Sequence, residues 1–175
     1  GRFDRQIAID KPDILGREAI FNVHLKPIKT KKEVWRVNLQ RDFGGRMMSG
    51  WRWSESPLVD GDKVIITPGG KAGAMVALNK DNGTGVWRCE DFKDSAGYSS
   101  VIVRKIGDVS QYLQLTGSSV AGIDAANGKL LWQAARRGRT AVVCTPIFHD
   151  GTMFVTSSPM MIPAELSVDM MTDVV

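Results

Sequence analysis

Beyond residue 33 the apolar positions fall into short runs of four to six residues, rich in Val, Ile, Tyr, Trp or Thr and closed off by Gly, Asp or Asn. This rhythm predicts strands at 62–67, 74–78, 85–89, 99–103, 111–116, 119–124, 130–134, 141–145 and 153–157, because β-branched and aromatic side chains fit a half-buried pleated surface. The short connections between them predict antiparallel hairpins. Residues 1–32 carry another pattern. Residues 5–10 alternate like a short strand, Pro12 marks a turn, and residues 14–25 carry a helical stripe of Ala19, Ile20 and Val23 behind a capping Asp13. A basic stretch, 26–32, with Pro27 as a helix stop, then reads as a linker.

The strand pattern repeats. "VAGIDAANGKLLW" (120–132) copies "MVALNKDNGTGVW" (75–87) at an offset of 45 residues. In both, Asn-Gly is expected to supply the positive φ angles of a tight hairpin turn. "SPLVDGDKVIIT" (56–67) returns as "TPIFHDGTMFVT" (145–156), 89 residues on, and more loosely within 99–116. Since 89 is close to twice 45, each unit holds about four strands, the period and strand count of a β-propeller blade. The expected fold is mainly β: a partial, about three-blade propeller of four-stranded antiparallel sheets behind a short N-terminal strand–helix segment. Trp35, Trp87 and Trp132 end successive units and are expected to plug neighbouring sheets, with Trp87 and Trp132 buried at equivalent places. Trp51 and Trp53 are less bound to the period and are candidates for facing a channel or ligand.

Residues 33–158 resemble the pyrroloquinoline-quinone-type (PQQ-like) repeat propellers, whose blades carry an A-x-D-x-x-x-G-x-x-x-W hairpin. The motif stands here as Gly122, Asp124, Gly128 and Trp132, and as Ala77, Asn79, Gly83 and Trp87. The resemblance implies a propeller often found in the periplasm or cell envelope, working as a quinone-dependent dehydrogenase or as a non-catalytic scaffold. Catalytic relatives hold the quinone over an adjacent Cys-Cys pair and use calcium or a lanthanide held by Glu, Asn and Asp. The two cysteines here, Cys89 and Cys144, are not adjacent. No quinone-binding, metal-binding or catalytic residue is therefore carried over, and no cofactor is expected in this chain.

Residues 1–30 resemble a different family, the FtsH-type AAA+ ATP-dependent metalloproteases, at their arginine-finger region. In that family the two arginines of G-R-F-D-R reach a neighbouring subunit's nucleotide, and they fall on Arg2 and Arg5. A guanidinium suits that task because it is permanently charged and forks onto phosphate oxygens. The chain contains neither a G-x-x-x-x-G-K-[ST] phosphate loop nor an H-E-x-x-H zinc helix. Two resemblances that meet between residues 30 and 33 predict a chimeric chain: an ATPase-like fragment with linker (1–32), propeller blades (33–158) and a non-repeat tail (159–175).

Composition narrows the function classes. Lys and Arg exceed Asp and Glu by eight to four in residues 1–32 and are balanced, fifteen to fifteen, over 33–175. The propeller part thus lacks the basic excess of a nucleic-acid surface. Two cysteines and two histidines without ligand spacing predict no metal site, and no apolar run reaches the ~18 residues of a membrane span. The expectation is a non-catalytic binding or scaffold module, in the periplasm or cell envelope as the resemblance implies. It would engage a protein partner or self-associate through apolar blade faces left open by an incomplete ring. The helix at 14–25 and the Met-rich stretch 160–171 are candidates to cover those faces. The alternatives are a piece of a quinoprotein alcohol dehydrogenase-type enzyme or, from residues 1–30 only, of an FtsH-type zinc metalloprotease.

Overall fold

The computed structural model describes residues 34–136 and 142–156, together with the backbone of 164–167. The strand, helix and arginine pair expected in residues 1–32, Arg2 and Arg5 among them, lie outside the described residues, as do most of 160–171. All the described residues but Val34 belong to the compact unit that starts at Trp35.

Among the described residues three antiparallel sheets succeed one another along the chain. The first is β1 (Leu58–Asp60), β2 (Lys63–Ile66), β3 (Met75–Asn79) and β4 (Gly85–Cys89), paired in that order. The second repeats it with β5 (Ile102–Ile106), β6 (Val109–Leu115), β7 (Ser119–Asp124) and β8 (Leu130–Ala135). The third holds β9 (Ile147–His149), β10 (Thr152–Val155) and β11 (Ala164–Ser167), with β10 in the middle. This is a partial propeller of about three blades, mainly β, with α1 (Leu39–Phe43) as the one helix among the described residues.

The repeat is visible hydrogen bond by hydrogen bond. Asn79 and Asp124 accept at their side-chain oxygens from the amides of Asp81 (2.9 Å) and Ala126 (2.8 Å). Their carbonyls accept from Gly83 and Gly128, both at 2.8 Å. The Asn82 and Asn127 side chains accept from the amides of Thr84 and Lys129. Positive φ falls on the glycine alone, 72° at Gly83 and 78° at Gly128. This corrects the expectation that Asn and Gly together supply the positive φ angles of a tight turn: five residues separate β3 from β4, and the asparagine acts through its side chain.

Glycine has a second reason to be there. A Cβ on Gly83 would lie 2.7 Å from Trp35 Cδ2, and one on Gly128 2.6 Å from Trp87 Cδ2. Trp35 and Trp87 therefore each lie on the hairpin glycine of the next unit. Trp35 also donates from Nε1 to the Lys80 carbonyl at 2.8 Å. The corresponding carbonyl for Trp87, that of Ala125, is taken by Lys63 Nζ at 3.1 Å, and Trp87 Nε1 is buried without a partner.

Trp132 departs from this pattern. Its register position matches, since Gly122 pairs with Trp132 as Ala77 pairs with Trp87. Its ring, however, lies back over Gly122, the space a Cβ there would need, and its Nε1 donates to Gln111 Oε1 at 2.8 Å. Both indoles are half-buried. The expectation of two buried rings in equivalent environments is corrected accordingly, because Gly128 supplies a seat for Trp87 and no third Asn-Gly hairpin supplies one for Trp132.

Period-2 alternation sorts each sheet's residues between its neighbours. Ile65, Met75 and Ala77 of the first sheet pack with Tyr112, Ala121 and Ile123 of the second. Leu113, Leu115 and Val120 turn the other way, to Val142, Met153 and Val155. The buried Tyr112 adds a polar tie, donating to Asp60 Oδ2 at 2.6 Å; burial, and then Asp60's hydrogen bond and charge, push its phenol well above the usual range. On the outer face of the first sheet, Ile66, Val76 and Leu78 are covered by Trp35, Val37, Leu39 and Phe43. That face is not open to water as expected. The cover includes α1, capped by Asn38, which accepts from Arg41 N at 2.9 Å, and by Gly44 at φ 61°. A helix this short leaves no periodic trace, and only its caps mark it in the sequence.

Three strand positions differ from expectation for identifiable reasons. Of the strand predicted at 141–145, the described residues 142–145 form none, and β9 begins after Pro146, as β1 begins after Pro57, because proline offers no N–H to a ladder. β5 starts at Ile102 rather than at 99: Ser100 Oγ accepts from Ser56 N (2.9 Å) and the Ser99 carbonyl accepts from Gln114 Nε2 (3.0 Å), which engages both residues outside the ladder. Within the stretch expected to be a non-repeat tail, β11 pairs with β10 in the register Val155↔Ala164 to Thr152↔Ser167. It begins 89 residues after Met75, at the place of a blade's third strand.

Candidate binding cleft at the strand-entry loops

Because the sheets repeat, the segments that enter their first strands lie side by side. Counting back from Leu58, Ile102 and Ile147, the residues three places earlier are Glu55, Ser99 and Cys144. The loops are stitched together. Tyr98 N donates to the Val142 carbonyl at 2.8 Å, Ser56 N to Ser100 Oγ at 2.9 Å, and Ala96 exchanges backbone bonds of 2.7 and 2.9 Å with Arg46 and Met48.

On this platform Trp53 is pinned by its Nε1–H to the Pro68 carbonyl at 3.0 Å. Trp51 is not: its side chain is 68% exposed, and its ring centroid stands 6.2 Å from that of Tyr98 at an interplanar angle of 43°. Ser49 sets the approach, since its hydroxyl hydrogen-bonds the Tyr98 hydroxyl and accepts from Trp51 N at 3.2 Å. Two adjoining cavities share Trp51 and Arg52. One, of about 300 Å³, reaches to Gln40 and Arg46. The other, of about 280 Å³, is walled by Trp51, Arg52, Ser54, Tyr98 and Val143.

The charges here are one-sided. Arg46 and Arg52 are exposed, and neither guanidinium has a hydrogen-bonding or ionic partner among the described residues. The nearby carboxylate in sequence, Glu55, is turned inward. Its Oε1 accepts from Thr67 N at 2.5 Å, while its Oε2 is buried without a partner. Burial pushes its pKa up to about 7, against the opposite pull of Thr67's hydrogen bonding. Ser99 Oγ, one repeat on, is also buried without a partner, and Cys144, one further, is an exposed free thiol. Cys89 is free and buried. Among the described residues no group of three or more His, Cys, Asp and Glu is placed to hold a metal ion.

The repeat residues singled out from sequence, Asn79, Gly83, Trp87, Asp124, Gly128 and Trp132, sit at the hairpins joining the third and fourth strands of the first two sheets. The structure brings Trp87 to Gly128 and does not bring these residues into the cleft. Trp51 stands in the cleft, as a ligand candidate should; its companions Arg46, Arg52 and Tyr98 escape sequence reasoning. Their signal is positional, since Tyr98 and Val143 occupy the places of Ser54 in successive units.

A family model, PQQ_2, described as outer membrane protein assembly factor BamB, matches residues 23–166. Among solved structures, BamB from Moraxella catarrhalis aligns at a TM-score of 0.46 and 19% identity, covering 65% of this chain and 33% of that one. Curated relatives match over a short stretch. The ATP-dependent zinc metalloprotease FtsH of Syntrophobacter fumaroxidans is 68% identical over 34 residues, 19% of this chain and 5% of that protein. The mitochondrial ATP-dependent zinc metalloprotease FTSH 3 of Oryza sativa subsp. japonica is 67% identical over 33 residues, 19% of this chain and 4% of that protein. The chain thus spans a small part of these relatives' length.

Proposed function

The chain belongs to the PQQ_2 family, that of the outer membrane protein assembly factor BamB, and we propose that it is a non-catalytic module that binds protein partners. The observation that carries this reading is the cleft of Trp51, Tyr98 and Arg52 on the strand-entry loops. Trp, Tyr and Arg are the residues that dominate binding energy at protein interfaces, through large rigid contact area and forked hydrogen bonding. The family description favours a place in the periplasm at the outer membrane. No helix among the described residues is long and apolar enough to cross a membrane. Self-association belongs to the same proposal, through the third sheet, where Ile147 and Phe154 are 65% and 45% exposed.

The test is a photo-crosslinking side chain at position 54, in the chain exported to the periplasm. The expected result is an adduct with a protein of the outer-membrane assembly apparatus, lost on Trp51→Ala. Dye reduction by an alcohol after reconstitution of the purified chain with quinone and calcium overturns the non-catalytic reading. Adducts confined to glycan or lipid overturn the protein-binding one.

A further inference from the structure

The cleft has a chemistry more specific than protein binding in general, and the inference from it rests on the protein-binding reading. We propose that it takes an extended acidic segment of polypeptide, with an aromatic or large apolar side chain seated on Trp51, Tyr98 and Val143 and flanking carboxylates on Arg46 and Arg52.

The apolar half of the match comes from three side chains that line the smaller cavity. Tyr98 is buried, Val143 is 58% exposed, and Trp51 is 68% exposed. The tilt of 43° between the Trp51 and Tyr98 rings opens a wedge rather than a closed stack. An aromatic side chain entering it meets ring faces and edges in the offset arrangement such pairs prefer. A space of about 280 Å³ lies at the low end of ligand cavities and suits one side chain at a time.

The ionic half comes from two guanidiniums without partners among the described residues. Arg52 borders both cavities and Arg46 the larger one, so the cations flank the aromatic seat on the side of Gln40. Among the described residues, neither cavity has an Asp or Glu in its wall. Guanidinium recognises carboxylate with two parallel hydrogen bonds. In an extended chain successive side chains point to opposite sides, so an apolar residue pointing into the wedge leaves its acidic neighbours to reach the cations at the rim. A glycan fits less well, because sugar hydroxyls need acceptors as well as donors. Among the described residues of these walls the neutral side chains able to accept are Gln40, Ser49, Ser54 and Tyr98, and Ser49 and Tyr98 are already engaged with each other.

The experiment uses the full chain and a fluorescently labelled short peptide with a central Phe flanked by Asp residues. Comparators carry Lys for Asp, or Ala for Phe, and a chitin oligosaccharide serves as competitor. Binding is read by anisotropy and by Trp51 emission. The Asp–Phe peptide is expected to bind, to weaken about tenfold or more on Arg52→Gln, as loss of a hydrogen bond between charged groups implies, and to weaken with added salt. Trp51→Ala is expected to abolish the emission change, and melting curves of both variants are expected to match the parent because both side chains are exposed. Equal binding of the Lys peptide, an unchanged affinity in Arg52→Gln, or no binding of any peptide overturns the acidic-segment inference. In the first two cases the crosslinking result at position 54 still stands for protein binding. Displacement by the oligosaccharide overturns both.

Discussion

The pair Leu58 and Ile65 in the first sheet and the pair Ile147 and Phe154 in the third are the same two cross-strand partners, 89 residues apart. In the first sheet Ile65 is fully buried and Leu58 packs beside it against the second sheet. In the third sheet Ile147 and Phe154 remain 65% and 45% exposed. The alternation of apolar and polar residues sets which way a side chain points, whereas the neighbouring sheet determines whether it is buried. The same holds for Trp87, seated on the next unit's glycine, and Trp132, folded back onto its own sheet.

The strongest way to break this comparison is to empty the filled interface. Trp87→Ala removes the ring between Gly128 and Tyr112, whose ring centroid lies 5.9 Å from it. The expected loss is about 3 kcal/mol, the low end for truncating a buried tryptophan, since this one is half-buried. Equilibrium denaturation with urea measures it. Gly128→Ala attacks from the other side, adding a Cβ against the Trp87 ring at a φ of 78°. It is expected to cost about 2–3 kcal/mol, steric strain added to the left-handed conformation. Gly61→Ala is the control: φ is 60° with nothing within 4 Å, and only the conformational part, about 1 kcal/mol, is expected. Equal costs at 128 and 61 defeat the claim that tryptophan–glycine seating joins the units.

The comparison sharpens at the strand-entry loops, where the equivalent residues are Glu55 and Cys144. Glu55 has a folded pKa near 7 against an ordinary 4.5, with burial as the main cause. The folded state therefore holds the proton more tightly than the unfolded one. The stability associated with the neutral carboxyl is fully present below pH 4.5, falls between 4.5 and 7, and changes no further above 7. The size of the shift corresponds to about 3 kcal/mol. Glu55→Gln cannot ionise and is expected to remove this slope, so the gap between variant and parent grows by up to about that amount from pH 4.5 to 7. A constant gap across that window refutes the assignment.

Legibility in the sequence tracks periodicity. The two Asn-Gly hairpins and the tryptophans at an offset of 45 place the strands of the first two sheets to within a few residues, because a motif that repeats is read twice. Features that the period does not carry are hidden. The five-residue α1 is defined by its caps alone, and β11 contains no tryptophan or Asn-Gly to announce it, only its position 89 residues after β3. The cleft is half legible. Trp51 stands out as aromatic and off the period, but Tyr98 and Val143 reach it by lateral packing of three loops far apart in sequence, which no local pattern records.

The smallest expected change in stability tests the exposed end of the comparison. Ile147→Thr with Phe154→Ser replaces the exposed pair while keeping the register of β9 against β10. Both side chains already face water, so the change in unfolding free energy is expected to stay within about 0.5 kcal/mol, as for surface positions generally. Association is expected to respond more. An apolar cross-strand pair on an exposed sheet face draws copies together, since water is released from both faces when they meet. Sedimentation velocity of the unsubstituted chain over rising concentration is expected to show species heavier than the 19.2 kDa monomer, and the doubly substituted chain to stay closer to it. A concentration-independent monomer for the unsubstituted chain refutes self-association through this face. Unchanged association in the double variant moves the contact elsewhere on the molecule. A loss of stability well beyond 0.5 kcal/mol would mean that the third sheet is covered after all, and that its contrast with the first is not one of burial.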